Sequence, residues 1–88
     1  MSNQIKQELG AVALDLKRVA EGFQSDSPKM SDRFAREAKN TLSAIATESL
    51  STELRAIKIK IQKILNQPYG FKRADDALTY SSILLSSI

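Results

Sequence analysis

The residues whose types most clearly suggest a binding function lie in one positively charged segment, residues 54–73. It contains six basic residues and no acidic one, so its charge is +6, whereas the whole 88-residue chain carries +3 and the other residues therefore carry 3 − 6 = −3. Such a segment can neutralise the phosphates of nucleic acid, lie on an anionic membrane surface or meet an acidic protein patch. Lysines on an amphipathic helix are equally its ordinary solvated face.

Aromatic residues adjoin cations at the end of this basic segment. Tyr69 and Phe71 flank Gly70 directly before Lys72 and Arg73. In this order a ring can stack on a base while the cations hold a phosphate. Aromatic residues beside a proline that connects two helices also close the end of a core. The nucleic-acid or nucleotide hypothesis names six residues: Arg55, Lys58, Lys63, Tyr69, Lys72 and Arg73.

The residue types that most enzymes use are missing. The chain has no His and no Cys, which removes the commonest general base, the thiol nucleophile and nearly all zinc ligands. Asp75 and Asp76 are adjacent, and a position in the first turn of a helix, where acidic groups meet its positive end, explains them without catalysis. We therefore predict no catalytic residues, no metal site, no cofactor and no enzymatic activity.

The spacing of apolar residues predicts an all-α protein, a small bundle of three to four amphipathic helices in one domain over residues 1–88. From Ile5 to Phe23 large apolar residues recur at intervals of four and three, which is typical of a core-facing or coiled-coil helix. The stretch 47–52 is rich in Ser and Thr, so the middle two helices are either separate or one long kinked helix. The predicted helices cover about residues 3–24, 28–49, 51–66 and 73–87.

Several positions refine this helical interpretation. Residues 57–61 alternate as in a strand, but their apolar neighbours fit only the helical period. Gly10, in mid-helix, indicates a close helix crossing. Four basic residues of the second helix, at 29, 33, 36 and 39, interleave with Asp32 and Glu37 at ion-pair spacing and indicate a solvated face. The core face of the last helix is predicted to comprise Ala74, Ala77, Leu78, Ser81, Leu84, Leu85 and Ile88.

One large apolar residue lies off the core stripe on each of three helices. These residues are Leu14, Ile59 and Ile83, each roughly 140 to 180° from the centre of its own stripe. Scattered exposed apolar residues are normal on monomers. Alternatively, the three form a second contact surface, and we predict that they belong to a homo-oligomer interface.

These observations predict a non-enzymatic, oligomeric helical-bundle protein that regulates or inhibits a macromolecular partner by binding. The expected partners are a second copy of the chain and a further protein. The alternative is nucleic-acid or nucleotide binding through residues 54–73, and a third function is a small-molecule pocket between helices. No apolar run approaches the roughly 20 residues of a membrane span, and the lack of cysteine fits a reducing cytoplasm, where we expect the protein to reside.

Overall fold

Residues 1–88 are described by a computed structural model, which contains four α-helices and no strand. The fold is the all-α bundle that the apolar spacing predicts. The helices are α1 (Asn3–Gln24), α2 (Pro28–Ala44), α3 (Thr52–Leu65) and α4 (Phe71–Ser87), and a 3-10 turn (Thr47–Ser49) lies between α2 and α3.

Three of the helices begin after a serine cap. The hydroxyls of Ser2, Ser27 and Ser51 each accept a hydrogen bond at 3.2 Å from the backbone N–H three residues on. Each cap satisfies one of the N–H groups that the first helical turn leaves without an intrahelical partner. Pro28 follows the second cap at a position where its missing N–H costs nothing.

The turn between α1 and α2 is tight and specific. Asp26 adopts a left-handed conformation with φ 54°. The N–H of Ser27 donates to the carbonyl of Gly22 at 2.7 Å, and the N–H of Asp26 donates to the carbonyl of Phe23 at 3.0 Å. This pair of bonds defines a Schellman motif, which ends α1 and turns the chain directly into the next helix.

The two middle helices are separate. α2 ends at Ala44, five residues before the predicted boundary, because Ile45 and Ala46 adopt extended conformations. The 3-10 turn follows, and α3 begins at Thr52. The Ser- and Thr-rich stretch thus produces a full break rather than a kink in one long helix.

α4 begins at Phe71, two residues earlier than the predicted boundary. Asp75 and Asp76 therefore lie beyond the first turn, which contains no acidic residue. The interpretation of this pair as first-turn acids is wrong, and Asp76 is instead held by side chains described below.

The core is built around α1, which packs most extensively against α2 and α4, while α3 packs against α4 and more lightly against α2. Val12, Leu16 and Val19 are fully buried, as the α1 stripe predicts. Ala77 and Leu84 fill the core from α4. The predicted core face of α4 is too wide, however, because Leu78 and Leu85 are exposed.

The close crossing between helices lies at Gly22 and not at Gly10. A Cβ built on Gly22 would lie 2.6 Å from the backbone nitrogen of Ser31, whereas a Cβ on Gly10 would meet nothing within 4 Å. The backbones of α1 and α2 therefore touch where the Schellman turn joins them.

Candidate functional site

Two residues of the basic segment hold the loop between α2 and α3. The ammonium of Lys58 is buried and donates to the carbonyl of Ile45 at 2.7 Å and to the hydroxyl of Thr47 at 3.1 Å. The guanidinium of Arg55 donates to the carbonyls of Thr47 and Glu48 at 3.0 and 3.3 Å. These cations donate to carbonyls of the segment that follows α2, where the Thr47 carbonyl also accepts from the N–H of Leu50 at 3.0 Å.

Arg73 is also turned inward, and it ties three helices together. Its side chain is 5% exposed, and Nη2 donates to the hydroxyl of Ser31 at 2.9 Å and to the carboxylate of Asp32 at 2.7 Å. The Ser31 hydroxyl in turn donates to the carbonyl of Val19 at 2.8 Å. A continuous chain of hydrogen bonds thus runs from α4 through α2 to α1.

The aromatic residues of the predicted site form a cluster at one end of the bundle. The ring of Phe23 lies 5.6 Å from that of Tyr69 and 6.2 Å from that of Phe71, measured between centroids. The Arg73 guanidinium lies 5.9 Å from the Tyr69 centroid. A hollow of about 460 Å³ follows the loop from Gln67 to Arg73. Tyr69 is therefore half-buried against Phe23, while Phe71 remains exposed at the surface.

The last two residues of the predicted nucleic-acid site are exposed. Lys63 lies near the end of α3, and Lys72 forms an ion pair with Asp76 at 2.9 Å. Of the six residues named for phosphate or base contacts, Arg55, Lys58 and Arg73 have internal partners. The structure thus brings Tyr69, Lys72 and Arg73 together, while Arg55 and Lys58 face the α2–α3 loop.

The off-stripe apolar residues are exposed, as their helical positions require. Leu14, Ile59 and Ile83 are 47%, 53% and 38% exposed. They lie on α1, α3 and α4, respectively. At 100° per residue, Ile83 is about 140° around α4 from Leu78. Ile83 therefore lies on a different side of α4 from Leu78. The oligomer interface of Leu14, Ile59 and Ile83 stays a prediction.

A more continuous apolar surface runs along α4. Phe71, Leu78 and Leu85 are 67%, 43% and 56% exposed. Their spacing of seven residues places them within about 40° of one another around the helix. We call these three residues the α4 stripe. It lies on the flank of α4 that faces α1, because the neighbouring Ser81 hydroxyl donates to the carbonyl of Ala13 at 2.7 Å.

A small cavity lies where α2 meets the end of α3 and the start of α4. Its volume is about 150 Å³. Ala35 and Leu65 supply its apolar walls, and a third hollow of about 230 Å³ is formed separately at the start of α2. The charged residues of the small cavity are Asp32, Arg36, Lys39 and Arg73.

Two carboxyl groups have shifted affinities for protons. Burial raises the pKa of Asp15 above its usual value of 3.8, and the nearby Glu37 carboxylate raises it further against the opposing effect of Arg18. Hydrogen bonds from Gln67 at 3.1 Å and Lys72 at 2.9 Å lower the pKa of Asp76. Both shifts arise from contacts within the bundle, and neither carboxyl lines one of the three cavities.

The structure contains no group of three or more His, Cys, Asp or Glu side chains placed to hold a metal ion. No helix combines the length and the apolar character that crossing a bilayer requires. The surface presents an exposed apolar stripe on α4 and a small cavity whose lining includes three cations and one carboxylate.

Sequence reasoning missed both features. The seven-residue interval from Phe71 through Leu78 to Leu85 is present in the sequence, but the helical period predicts Leu78 and Leu85 on the core face. The ion-pair spacing of α2 predicts a solvated face for Arg36 and Lys39 and gives no reason to connect them with Arg73. The spacing of the stripe is a usable pattern, whereas the cavity depends on contacts between residues far apart in sequence.

Comparison of this chain with protein-family models, with curated proteins and with solved structures finds no match.

Proposed function

We propose that this chain is a binding protein without catalytic chemistry, which pairs with a second copy of itself through α4 and presents the rest of the bundle to a macromolecular partner that it regulates. The observation that carries the pairing is the exposed α4 stripe. Single exposed apolar residues are common, but three in line on one helix form a patch typical of a contact surface. The remaining exposed face of the dimer is then free for the partner.

The pattern of the stripe favours a second copy over an unrelated protein. Phe71 and Leu85 lie seven residues on either side of Leu78, so the stripe is symmetric about its centre. Two α4 helices that run antiparallel about a two-fold axis would place Leu78 against its own copy and Phe71 against Leu85 of the second copy. Such self-complementarity is what a two-fold interface requires.

The energy available from the stripe is sufficient for a reversible dimer. Complete burial of one large apolar side chain contributes about 1.5 to 3 kcal/mol. Roughly half of each stripe residue is exposed, so the three residues offer roughly 2 to 5 kcal/mol in each copy, and twice that in a dimer. Because association itself costs at least about 4 kcal/mol, at most about 6 kcal/mol remains. We therefore expect a dissociation constant between tens of micromolar and about 1 mM.

Sedimentation equilibrium over a series of protein concentrations tests this dimer. We expect the wild type to dimerise reversibly, and Leu78→Lys to remain monomeric because it places a charge on the two-fold axis. Ile59→Lys is the matched control, since Ile59 is 53% exposed but lies on α3 outside the stripe. The proposal fails if the wild type is monomeric up to about 1 mM, or if both variants impair association equally.

Disulfide trapping tests the antiparallel arrangement separately. The chain contains no cysteine, so each introduced thiol is unique. Leu78→Cys should form a covalent dimer under mild oxidation. Phe71→Cys and Leu85→Cys should cross-link when mixed and much less when each is alone, because disulfides require Cα atoms about 4.4 to 6.8 Å apart. Efficient cross-linking of Phe71→Cys with itself would instead indicate a parallel pair and contradict the proposed symmetry.

Fewer residues can contact the phosphates of nucleic acid than the charge of the basic segment suggests. Arg55, Lys58 and Arg73 make internal hydrogen bonds, so a phosphate backbone would meet chiefly the exposed Lys60, Lys63 and Lys72. Binding measurements with DNA and RNA at about 50 mM salt, where phosphate contacts are strongest, distinguish the two functions. Affinity that falls steeply with added salt and is lost in Lys63→Gln/Lys72→Gln would favour the alternative.

A further inference from the structure

The cavity between α2, α3 and α4 has the charge of an anion site. Its lining contains three cations, Arg36, Lys39 and Arg73, and one carboxylate, Asp32. Arg36 and Lys39 are exposed and lie with Asp32 along one side of α2, at helical spacings of four and three residues. A concave surface lined mainly by one sign of charge concentrates ions of the opposite sign.

Arg73 is the buried member of this set, and its hydrogen-bonding capacity is incompletely used. A guanidinium has five N–H donors, but only Nη2 of Arg73 donates, to Ser31 and Asp32. The Nε atom is buried without any partner. Because a buried donor without an acceptor destabilises the fold, an additional acceptor at this guanidinium would be favourable.

The size of the cavity selects a small ligand. Pockets for drug-sized molecules measure about 300 to 1,000 Å³, whereas this one measures about 150 Å³. A water molecule occupies about 30 Å³ of liquid, so the cavity has room for a group of a few heavy atoms. Ala35 and Leu65, each 5% exposed, form its apolar walls.

We propose that this cavity binds the phosphate group of a phosphate monoester or inorganic phosphate, with Arg36 and Lys39 contacting its oxygens at the rim and Arg73 at the base. Arginine matches phosphate through paired N–H donors, and lysine adds a flexible positive charge. Asp32 holds Arg73 in position and limits affinity by repulsion. The site lies away from the α4 stripe, so it stands independently of the proposed dimer.

Titration with inorganic phosphate, followed by NMR of backbone amides and arginine Nε–H groups, tests the site. Ionic strength is kept constant with chloride, because screening alone shifts surface resonances. We expect saturable shifts at Arg36, Lys39 and the Nε–H of Arg73, with a dissociation constant of about 1 mM or below. Absence of saturation up to about 20 mM overturns the proposal.

Matched variants separate a specific site from general attraction. Arg36→Gln/Lys39→Gln removes both rim cations, whereas Lys6→Gln/Lys60→Gln removes the same charge from exposed residues outside the cavity. We expect the first pair of changes to weaken phosphate binding about tenfold or more and the second to weaken it less than about twofold. Equal weakening by the two variants would show non-specific attraction and overturn the site. All four positions are exposed, so these variants should fold.

The source of the phosphate is resolved by comparing ligands. A short phosphoserine peptide that binds more tightly than inorganic phosphate, with shifts at the same residues, supports the site and identifies a group carried by a protein. Binding of inorganic phosphate that equals or exceeds that of the peptide supports the site and identifies the free ion. The amide oxygen of Asp32→Asn can still accept the hydrogen bond from Arg73, so this variant removes only the negative charge and should tighten binding of both ligands. Weaker binding by the folded variant would contradict the repulsion assigned to the carboxylate.

Discussion

Replacement of Gly22 by alanine should destabilise the bundle, although alanine is the better helix former. Gly22 has no positive φ, so its backbone conformation accepts any residue. Space is the constraint, because the new Cβ would lie 2.6 Å from the backbone nitrogen of Ser31 and 2.8 Å from its Cα. Both atoms belong to the backbone of α2 and cannot rotate away. The two helices must therefore separate at their crossing.

The magnitude follows from the distances. Ordinary van der Waals contact begins at 3.4 Å, so α1 and α2 must separate by about 3.4 − 2.6 = 0.8 Å. The Ser31 hydrogen bond to Val19, now 2.8 Å, would then approach 3.6 Å and be lost. Overpacking costs about 1 to 3 kcal/mol, and the lost bond about 1 kcal/mol. Alanine returns at most about 1 kcal/mol of helix propensity, which leaves a net loss of about 1 to 3 kcal/mol.

Gly10→Ala is the control in the same helix. No atom lies within 4 Å of its added Cβ, so we expect a gain of about 1 kcal/mol. Urea unfolding followed by circular dichroism, at one protein concentration, gives both free energies of unfolding. The melting temperature should fall by about 4 to 8 °C per kcal/mol for a chain of this size. Equal stability of the two variants, or a Gly22→Ala variant as stable as the wild type, would refute the close crossing.

Three further predictions concern the turns and the charges. Asp26→Gly should raise the free energy of unfolding by about 0.5 to 1 kcal/mol, because glycine adopts the left-handed conformation without strain; a lower melting temperature would contradict this. Asp15→Asn should stabilise the protein at neutral pH, because the raised pKa of Asp15 means that the folded state binds the proton of this carboxyl more tightly than the unfolded state does. In thermal melts, the difference in melting temperature between variant and wild type should shrink as the pH falls through the raised pKa toward 3.8. A difference that grew on acidification would be inconsistent with the shift. Lys58→Met should lower the free energy of unfolding in urea by about 1 to 3 kcal/mol, because it leaves the carbonyl of Ile45 without its donor. The exposed control Lys60→Met should have little effect. Similar losses in the two variants would show that the charge of the lysine, rather than its hydrogen bond, stabilises the fold.

Local sequence patterns were sufficient for most of the fold. The bounds of α1 coincide with the predicted 3–24, because an uninterrupted apolar stripe lies between a serine cap and a turn. The end of α2 was missed because Ile45 and Ala46 continue the apolar pattern of the helix but adopt extended conformations. The carbonyl of Ile45 instead accepts a hydrogen bond from Lys58, 13 residues away in sequence. The start of α4 was missed because Gly70 and Phe71 were assigned to the turn. Such boundaries depend on which hydrogen bonds the whole structure satisfies.

The exposed stripe and the buried arginine required tertiary information. A helical-wheel projection of α4 places Leu78 and Leu85 at an edge of its apolar face. Only the position of α1 in the bundle determines which edge of that face is buried. Likewise, Arg73 pairs with Asp32 across 41 residues of sequence. Nothing local distinguishes an arginine that will be buried from one that will be solvated. Of the six residues predicted to bind nucleic acid, Arg55, Lys58 and Arg73 make hydrogen bonds within the fold, and the local sequence does not indicate this role.

The net charge of residues 54–73 overstates how many of their cations are available to contact an anionic ligand. Lys58 and Arg55 donate to backbone carbonyls, and a carbonyl takes up hydrogen-bonding capacity without cancelling charge. These cations therefore need no acidic neighbours in sequence, although their donors are already engaged. Their positive potential still extends into solvent and can guide an anionic ligand over distances of about 8 to 10 Å in physiological salt. Direct contact with the ligand requires cations whose N–H donors are free. In the small cavity these are Arg36 and Lys39, which lie outside residues 54–73.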